Sequence, residues 1–286
     1  MKKSGIHDVV FNTGSGREVL KFVYSCLFSK IRFYGIQHNT YRFQHFGLQY
    51  LISLKMSKYF VLADYLSHDL PGFFRKRTIP FYPIYFKDVE TVELDKPDDE
   101  FWVVIPGGVE FRRRNYVGLL DSLERKVPLK NIRFVILGRV SKKDSEFAYF
   151  ESRLKAMNLC DRFVFLDKFI PNELFYSYIN QADLILTLIN TDATGRHFNY
   201  TTYQVSGTFN LSFAFKCPML LEDYYKKHEP FASCSFFYGK SRLVDELNAL
   251  ADDGSKAKLR QKSDAISSND SFAFASQQKR YMSAFK

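Results

Sequence analysis

The sequence predicts an α/β protein built from two doubly wound parallel-sheet lobes, the first of them shortened. Three observations carry this expectation. From about residue 101 onward, short apolar runs alternate with segments of helical period. Those runs are continuous rather than alternating, which suits strands buried on both faces of a parallel sheet. A polar stretch over 91–100, containing Asp95-Lys96-Pro97-Asp98-Asp99-Glu100, separates this half from an earlier stretch with the same grammar and reads as a linker.

In the first hundred residues, 8–11 reads as a strand and Thr13-Gly14-Ser15-Gly16 as a tight turn. Residues 17–30 follow as a helix, with Val19, Phe22, Val23, Cys26 and Leu27 on one face. A second strand over 31–36 ends in Gln37-His38-Asn39-Thr40. A helix is expected over about 43–56, a strand over 59–62 and a short helix over 67–74. Residues 78–85 are extended and broken by Pro80 and Pro83.

The second half opens with a strand over 101–105, stopped by Pro106-Gly107-Gly108, and a helix striped by Tyr116, Leu119, Leu120, Leu123 and Val127. Strand 132–137 ends at Gly138, and Phe147, Phe150, Leu154 and Met157 mark the next helix. Strand 162–166 leads to Pro171, which opens a helix carrying Phe175, Tyr178, Ile179 and Ala182. Residues 183–189 form the strongest strand. A helix over 207–215, strands over 218–221 and 234–238, and a helix with Leu243, Val244, Leu247 and Leu250 complete the series. Alternation at this spacing implies right-handed βαβ units.

Composition narrows the function. With 286 residues, 46% of them hydrophobic and 25% charged, the chain is globular rather than disordered. The net charge of +10 favours anionic partners such as nucleotide phosphates and lipid headgroups. Apart from Arg75-Lys76-Arg77 and Arg112-Arg113-Arg114, no Lys/Arg block interleaved with aromatics stands out, and no nucleic-acid partner is expected. Cys26, Cys160, Cys217 and Cys234 form no CxxC pair and read as reduced thiols of a cytoplasmic protein. Met1-Lys2-Lys3 leads into Ser-Gly-Ile-His-Asp rather than an apolar core, so no signal peptide is expected, and no run is long enough to span a bilayer. No His/Cys/Asp cluster has metal-ligand spacing, no DxD is present, and no GxSxG supports a hydrolase. Neither a metal nor a cofactor is expected.

Open α/β sheets bind ligands outside the carboxyl ends of their strands, so the loops after strands are the ones to read. Gly107 and Gly108 let backbone N–H groups approach an anion, with Arg112, Arg113 and Arg114 beside them as phosphate partners or a solvated basic turn. Ser206-Gly207-Thr208 opens a helix and serves either as an anion cradle or as a simple N-cap. His38, directly after a strand, is placed to orient an acceptor hydroxyl or to fill a structural role. Thr13-Gly14-Ser15-Gly16 lacks the third glycine of a dinucleotide fingerprint. His197, in the loop 191–197, is a further candidate with a surface-loop alternative.

With these loops placed, the chain resembles the GT-B glycosyltransferases, specifically the retaining group 1 family, over most of 31–286 and best over 101–221. Gly108-Val-Glu-Phe-Arg-Arg-Arg114 has that family's six-residue step from glycine to a phosphate-binding cation, although Val109 stands where the family has arginine. Residues 132–138 are similar to its second strand ending in glycine. Residues 165–174 and 178–183 resemble its nucleobase-side strand, turn and helix, and Gln37-His38-Asn39-Thr40 with Ala63 to Ser67 resembles its acceptor-lobe turn. The family's two glutamates would fall at Tyr203 and Leu211, and neither is acidic.

The resemblance implies two Rossmann-like lobes. Residues 1–94 form a partial acceptor lobe and 95–270 a nucleotide-sugar donor lobe. Residues 271–286 form a C-terminal helix packing back on the first lobe. About thirty residues precede the acceptor-lobe turn, which implies either a missing upstream start or a truncated member. The resemblance further implies a metal-independent, hexosyltransferase-like enzyme. It would move sugar from a nucleoside diphosphate sugar to a glycan or lipid-linked acceptor in cell-surface polysaccharide synthesis, in contact with the inner membrane leaflet. Gly107, Gly108, Arg113, Arg114, Ser206, Gly207 and Thr208 would hold the diphosphate. Gly138, Arg139, Lys168, Phe169 and Tyr203 would face the nucleoside or sugar, and His38 would act at the anomeric carbon. The alternatives are an inactive nucleotide-sugar or glycan-binding remnant and a GT-B sugar epimerase.

Overall fold

The structure, a computed structural model, describes residues 5–44, 47–84, 89–125, 128–140, 143–166, 169–191 and 199–286. The chain forms two compact units. The first takes the residues up to Pro83, the segment 199–205 and Ala273–Lys286. The second takes the described residues from Ile84 to Thr191 and Ser206–Phe272.

The first unit is a parallel sheet of β1 (Asp8–Phe11), β2 (Arg32–Gln37), β3 (Met56–Val61) and β4 (Thr78–Pro80), in that spatial order. Its connections contain α1 (Arg17–Ser25), α2 (Leu48–Lys55) and the single-turn α3 (Gly72–Arg75). The strand order never reverses, so right-handed crossovers put their helices on one face, and α1 packs beside α2. The other face needs a separate cover. Among the described residues it comes from the chain's last segment, where Tyr281 and Phe285 lie on Tyr34, Phe60 and Phe81.

The second unit begins with β5 (Phe101–Pro106), α4 (Tyr116–Glu124), β6 (Ile132–Leu137), α5 (Ser145–Ala156), β7 (Phe163–Phe165), α6 (Asn172–Gln181) and β8 (Leu184–Leu186). It continues with α7 (Gly207–Phe215), β9 (Met219–Glu222), α8 (Glu229–Cys234), β10 (Ser235–Tyr238), α9 (Leu243–Leu250) and α10 (Lys256–Ser268). A last helix, α11 (Phe274–Met282), belongs to the first unit. The six strands are all parallel in the order β10-β9-β8-β5-β6-β7. That is the doubly wound order, and its direction reverses between β5 and β8. The central strands are fully buried, as the continuous apolar runs require.

Several elements differ from the sequence expectation for physical reasons. The strand expected over 183–189 ends at Leu186, because residues 187–190 turn aside to bond the loop after β5. The helix expected over 17–30 closes at Ser25, and that expected over 43–56 splits into a 3-10 turn, Thr40–Gln44, and α2. The stretch read as a linker lies along α6 in the second unit. Val92 N donates to Ser177 Oγ at 2.8 Å, Leu94 N to Gln181 Oε1 at 3.0 Å, and Lys96 pairs with Asp183 at 2.6 Å. Val127 lies outside the described residues.

Charge is divided unevenly. By sequence, residues 1–83, 195–205 and 273–286 carry sixteen lysines and arginines against four acids, a net +12, and the rest of the chain twenty-five against twenty-seven, a net −2. The chain's positive excess therefore sits in the first unit.

Candidate functional site

The switch point of the second sheet is where the loops after β5 and β8 meet, and there the chain is laced together. Asn115 N donates to Leu188 O at 2.8 Å, Asn190 N to Arg113 O at 3.1 Å, and Asn190 Nδ2 to Phe111 O at 3.2 Å. Leu188 is fully buried with φ 47°, a left-handed conformation that a leucine side chain resists. Such strain persists only where neighbours over-determine it, and these bonds supply that constraint.

Arg114 completes the lacing. Its Nη1 donates to Thr187 O at 2.6 Å and its Nη2 to Pro106 O. The guanidinium expected to hold a phosphate thus clasps the carbonyl ends of two neighbouring strands. The sequence step from Gly108 could not reveal this, because both acceptors belong to the main chain. Arg113 is exposed and pairs with Glu110 at 3.5 Å.

The glycines of this loop have steric work of their own. Gly107 has φ 110°, and a Cβ there would also strike the Arg114 guanidinium. A Cβ on Gly138 would collide with the Gly107–Gly108 peptide, and one on Gly108 would lie 2.8 Å from Arg139 O. Arg139 is exposed, and Phe169, just beyond β7, keeps 89% of its surface in solvent. Lys168 and His197 lie outside the described residues.

Ser206, Gly207 and Thr208 open α7. Ser206 Oγ accepts from Thr208 N at 3.4 Å and donates to Thr208 Oγ1 at 3.1 Å, so the N-cap geometry is present. Gly207 is exposed, with nothing within 4 Å of a Cβ placed on it. In the same turn Asn210 is 6% exposed, and its Oδ1 has no hydrogen-bond partner.

One residue escaped the sequence reading. Glu222 ends β9, is 8% exposed, and accepts from Thr191 Oγ1 at 2.5 Å. Burial, with Glu222 as a lesser cause, drives the hydroxyls of Tyr225 and Tyr238 well above the usual tyrosine range. An acid closing an apolar strand at its carboxyl end was the available signal. Leu211, at one of the two positions where the family has glutamate, is buried in α7.

Tyr203 is placed by its neighbours. It was expected on the donor side, but the segment 199–205 belongs to the first unit. There Thr40 N donates to Tyr203 O at 2.9 Å, and the Tyr203 ring meets Tyr41 edge-on at 5.1 Å. His38 lies in the same unit, exposed, with Nε2 donating to Asn12 O at 2.8 Å. That contact fixes its protonated nitrogen. Neighbouring Gln37 is buried and its Oε1 has no partner. The Gly14–Gly16 turn has steric reasons of its own. A Cβ on Gly14 would lie 2.8 Å from Gly35 Cα, and Gly16, with φ 109°, starts α1.

A 650 Å³ hollow in the second unit opens at the other end of the sheet, near Phe101, Asn131 and Asp183 at the amino ends of β5, β6 and β8. Ion pairs of Lys96 with Asp183 and Lys130 with Asp252 lie among its walls. Ligands of such sheets bind at the opposite, carboxyl ends.

No protein-family model matches the chain, and no curated protein matches it in sequence. Solved structures do. A glycosyltransferase from Rickettsia africae ESF-5 is similar over 100% of this chain and 78% of its own, with a TM-score of 0.66 at 11% identity. The lipopolysaccharide outer core galactosyltransferase WaaB is similar over 99% and 76%, with a TM-score of 0.64 at 14% identity. The fold is GT-B. A Listeria monocytogenes protein provisionally assigned as a UDP-N-acetylglucosamine 2-epimerase shares this GT-B fold over 98% of this chain and 73% of its own, with a TM-score of 0.59 at 11% identity. At such identities the likeness is one of fold, and residue roles must come from the site itself.

Proposed function

We propose that this GT-B chain moves a sugar from a nucleoside diphosphate sugar to a hydroxyl of a glycan or lipid-linked acceptor, in cell-surface polysaccharide synthesis. The observation that supports the reading is that the Gly107–Gly108 turn and the exposed start of α7 follow neighbouring strands, β5 and β8, on the carboxyl-end side of the second sheet. Helix N–H groups and the macrodipole favour a diphosphate there, and Arg113 adds charge. Breaking the bond between anomeric carbon and diphosphate leaves negative charge on the leaving group, and donors fixed in advance lower that barrier. The acceptor oxygen forms the new glycosidic bond and its proton departs to a base. His38, in the first unit, is our candidate for proton handling. Arg114 serves by holding the donor loop in shape, Phe169 and Arg139 offer a face to the nucleobase, and Glu222 is our candidate for a donor-sugar hydroxyl.

A nucleotide-sugar-binding protein without transfer is the second reading, favoured by Leu211 at a position where the family has an acid. The decisive experiment is a thermal-shift panel of UDP, GDP, CDP and dTDP, followed by nucleotide release from the matching sugar donor. Release dependent on an acceptor supports transfer, and release without acceptor points to an epimerase. Stabilisation without release supports binding alone. No shift with any nucleotide overturns the donor-side assignment.

A further inference from the structure

Helix α2 buries two polar side chains beside Ile52 and leaves three leucines in solvent. Its polar residues Gln49 and Ser53 are buried, and Leu48, Leu51 and Leu54 are exposed by 36%, 46% and 49%. The inward face is satisfied. Gln49 Nε2 donates to Gly14 O at 3.0 Å and to Tyr59 Oη at 2.8 Å, and Ser53 Oγ lies 2.8 Å from that same hydroxyl. Among the described residues the outward leucines have no such account, and a water-facing helix ordinarily shows the reverse pattern.

They are not isolated. Tyr24 of α1 reaches across to donate to Leu51 O at 3.2 Å. Leu27 and Phe28 follow in the turn after α1, exposed by 40% and 92%. A hollow of 230 Å³ continues past Phe28 along Ile6, Lys30 and Ile31. The exposed cations Arg17, Lys21 and Lys30 lie on or just after α1, Lys55 closes α2, and Glu18 is the acid among them. The unit that carries this face holds the whole positive excess of the chain, +12. Among the described residues no helix is long and apolar enough to cross a membrane.

The geometry points to an anionic lipid bilayer as the occupant: the α1–α2 face of the first unit lies on the headgroup layer, Leu51, Leu54 and Phe28 entering it and Lys21 and Lys30 meeting phosphates. Exposed apolar side chains and cations on the same helices, none of which spans, match the interfacial mode of binding. A net +12 on the same unit complements an anionic surface, whereas two copies meeting through this face would bring like charges together. The assignment names a surface and stands whether or not the donor reading holds.

The test is flotation of the intact chain with vesicles of phosphatidylcholine alone or mixed with phosphatidylglycerol, at about 100 mM salt. The chain floats with the mixed vesicles and at least tenfold less with the neutral ones. L51Q/L54Q and the independent variant F28S each lower flotation at least tenfold, and K21E/K30E does the same, with unchanged melting temperature. F28S alters a side chain already in solvent, so it reads docking even if the leucine variant folds poorly. Absent flotation of the wild type, or equal flotation of F28S and wild type, overturns the proposal. So does a wild-type dimer in sedimentation velocity that L51Q/L54Q abolishes, with no vesicle binding, which assigns the face to a second copy.

Discussion

Arg114 Nη1 donates to Thr187 O at 2.6 Å, and through that bond the end of β8 is tied to the loop that leaves β5. With the second donation to Pro106 O, one guanidinium holds both sides of the switch point. Arg114→Lys replaces a planar fork by a single ammonium that cannot serve both carbonyls. Stability falls by about 1–3 kcal/mol, read from urea unfolding. Arg113→Ala leaves stability within about 0.5 kcal/mol and instead weakens the nucleotide-dependent shift.

Two glycines separate architecture from binding. Gly138→Ala drives a methyl into the Gly107–Gly108 peptide and destabilises the second unit by roughly 3 kcal/mol or more. Gly207→Ala has open space and no positive φ, so stability is unchanged or rises by about 0.4–1 kcal/mol. The nucleotide shift falls in Gly207→Ala if the start of α7 meets the diphosphate. A full shift would remove α7 from the site.

Glu222→Gln keeps an amide oxygen for Thr191 and leaves the fold intact. Transfer drops by on the order of a hundredfold, measured as acceptor-dependent nucleotide release, if the carboxylate holds the donor sugar. Unchanged turnover would confine Glu222 to bracing Thr191.

The pH limits follow from two groups. Arg133 beside Glu100 holds that carboxyl below its ordinary 4.5. A depressed acid stabilises the fold above its unfolded value, and this contribution fades as pH falls below about 4.5 toward the folded value. Glu100→Gln therefore destabilises at pH 7 and less at pH 3, in matched melts. Burial pushes Tyr59 up to about 12 from an ordinary 10.0. Its contribution is full below pH 10 and is lost as pH rises toward 12, so Tyr59, like the buried Tyr225 and Tyr238, ionises above the usual tyrosine range in an absorbance titration. Tyr59→Phe leaves Gln49 and Ser53 short of one partner and costs about 1–3 kcal/mol.

What could be read from the sequence was whatever its own neighbours decide. The strand Ile132–Leu137 and the helix Gly207–Phe215 have the expected bounds, because apolar period, Gly138 and the Ser206 cap act within a few residues. The leucines of 43–56 announced a helix but not which face turns inward, since that depends on Gly14 and Tyr59 lying across from Gln49. The parts of the site that surprised are all non-local. Arg114 spends its charge on a carbonyl seventy-three residues away. Tyr203 crosses to the first unit, and Leu188 is bent by Asn115.

The first unit draws on three separated stretches, ending with Ala273–Lys286. In chain order its strands precede the second unit, yet the cover for Tyr34, Phe60 and Phe81 follows it, with Tyr281 and Phe285. The second unit can close while that aromatic face still waits. Folding in chain order therefore closes the second unit while one aromatic face of the first sheet is still bare.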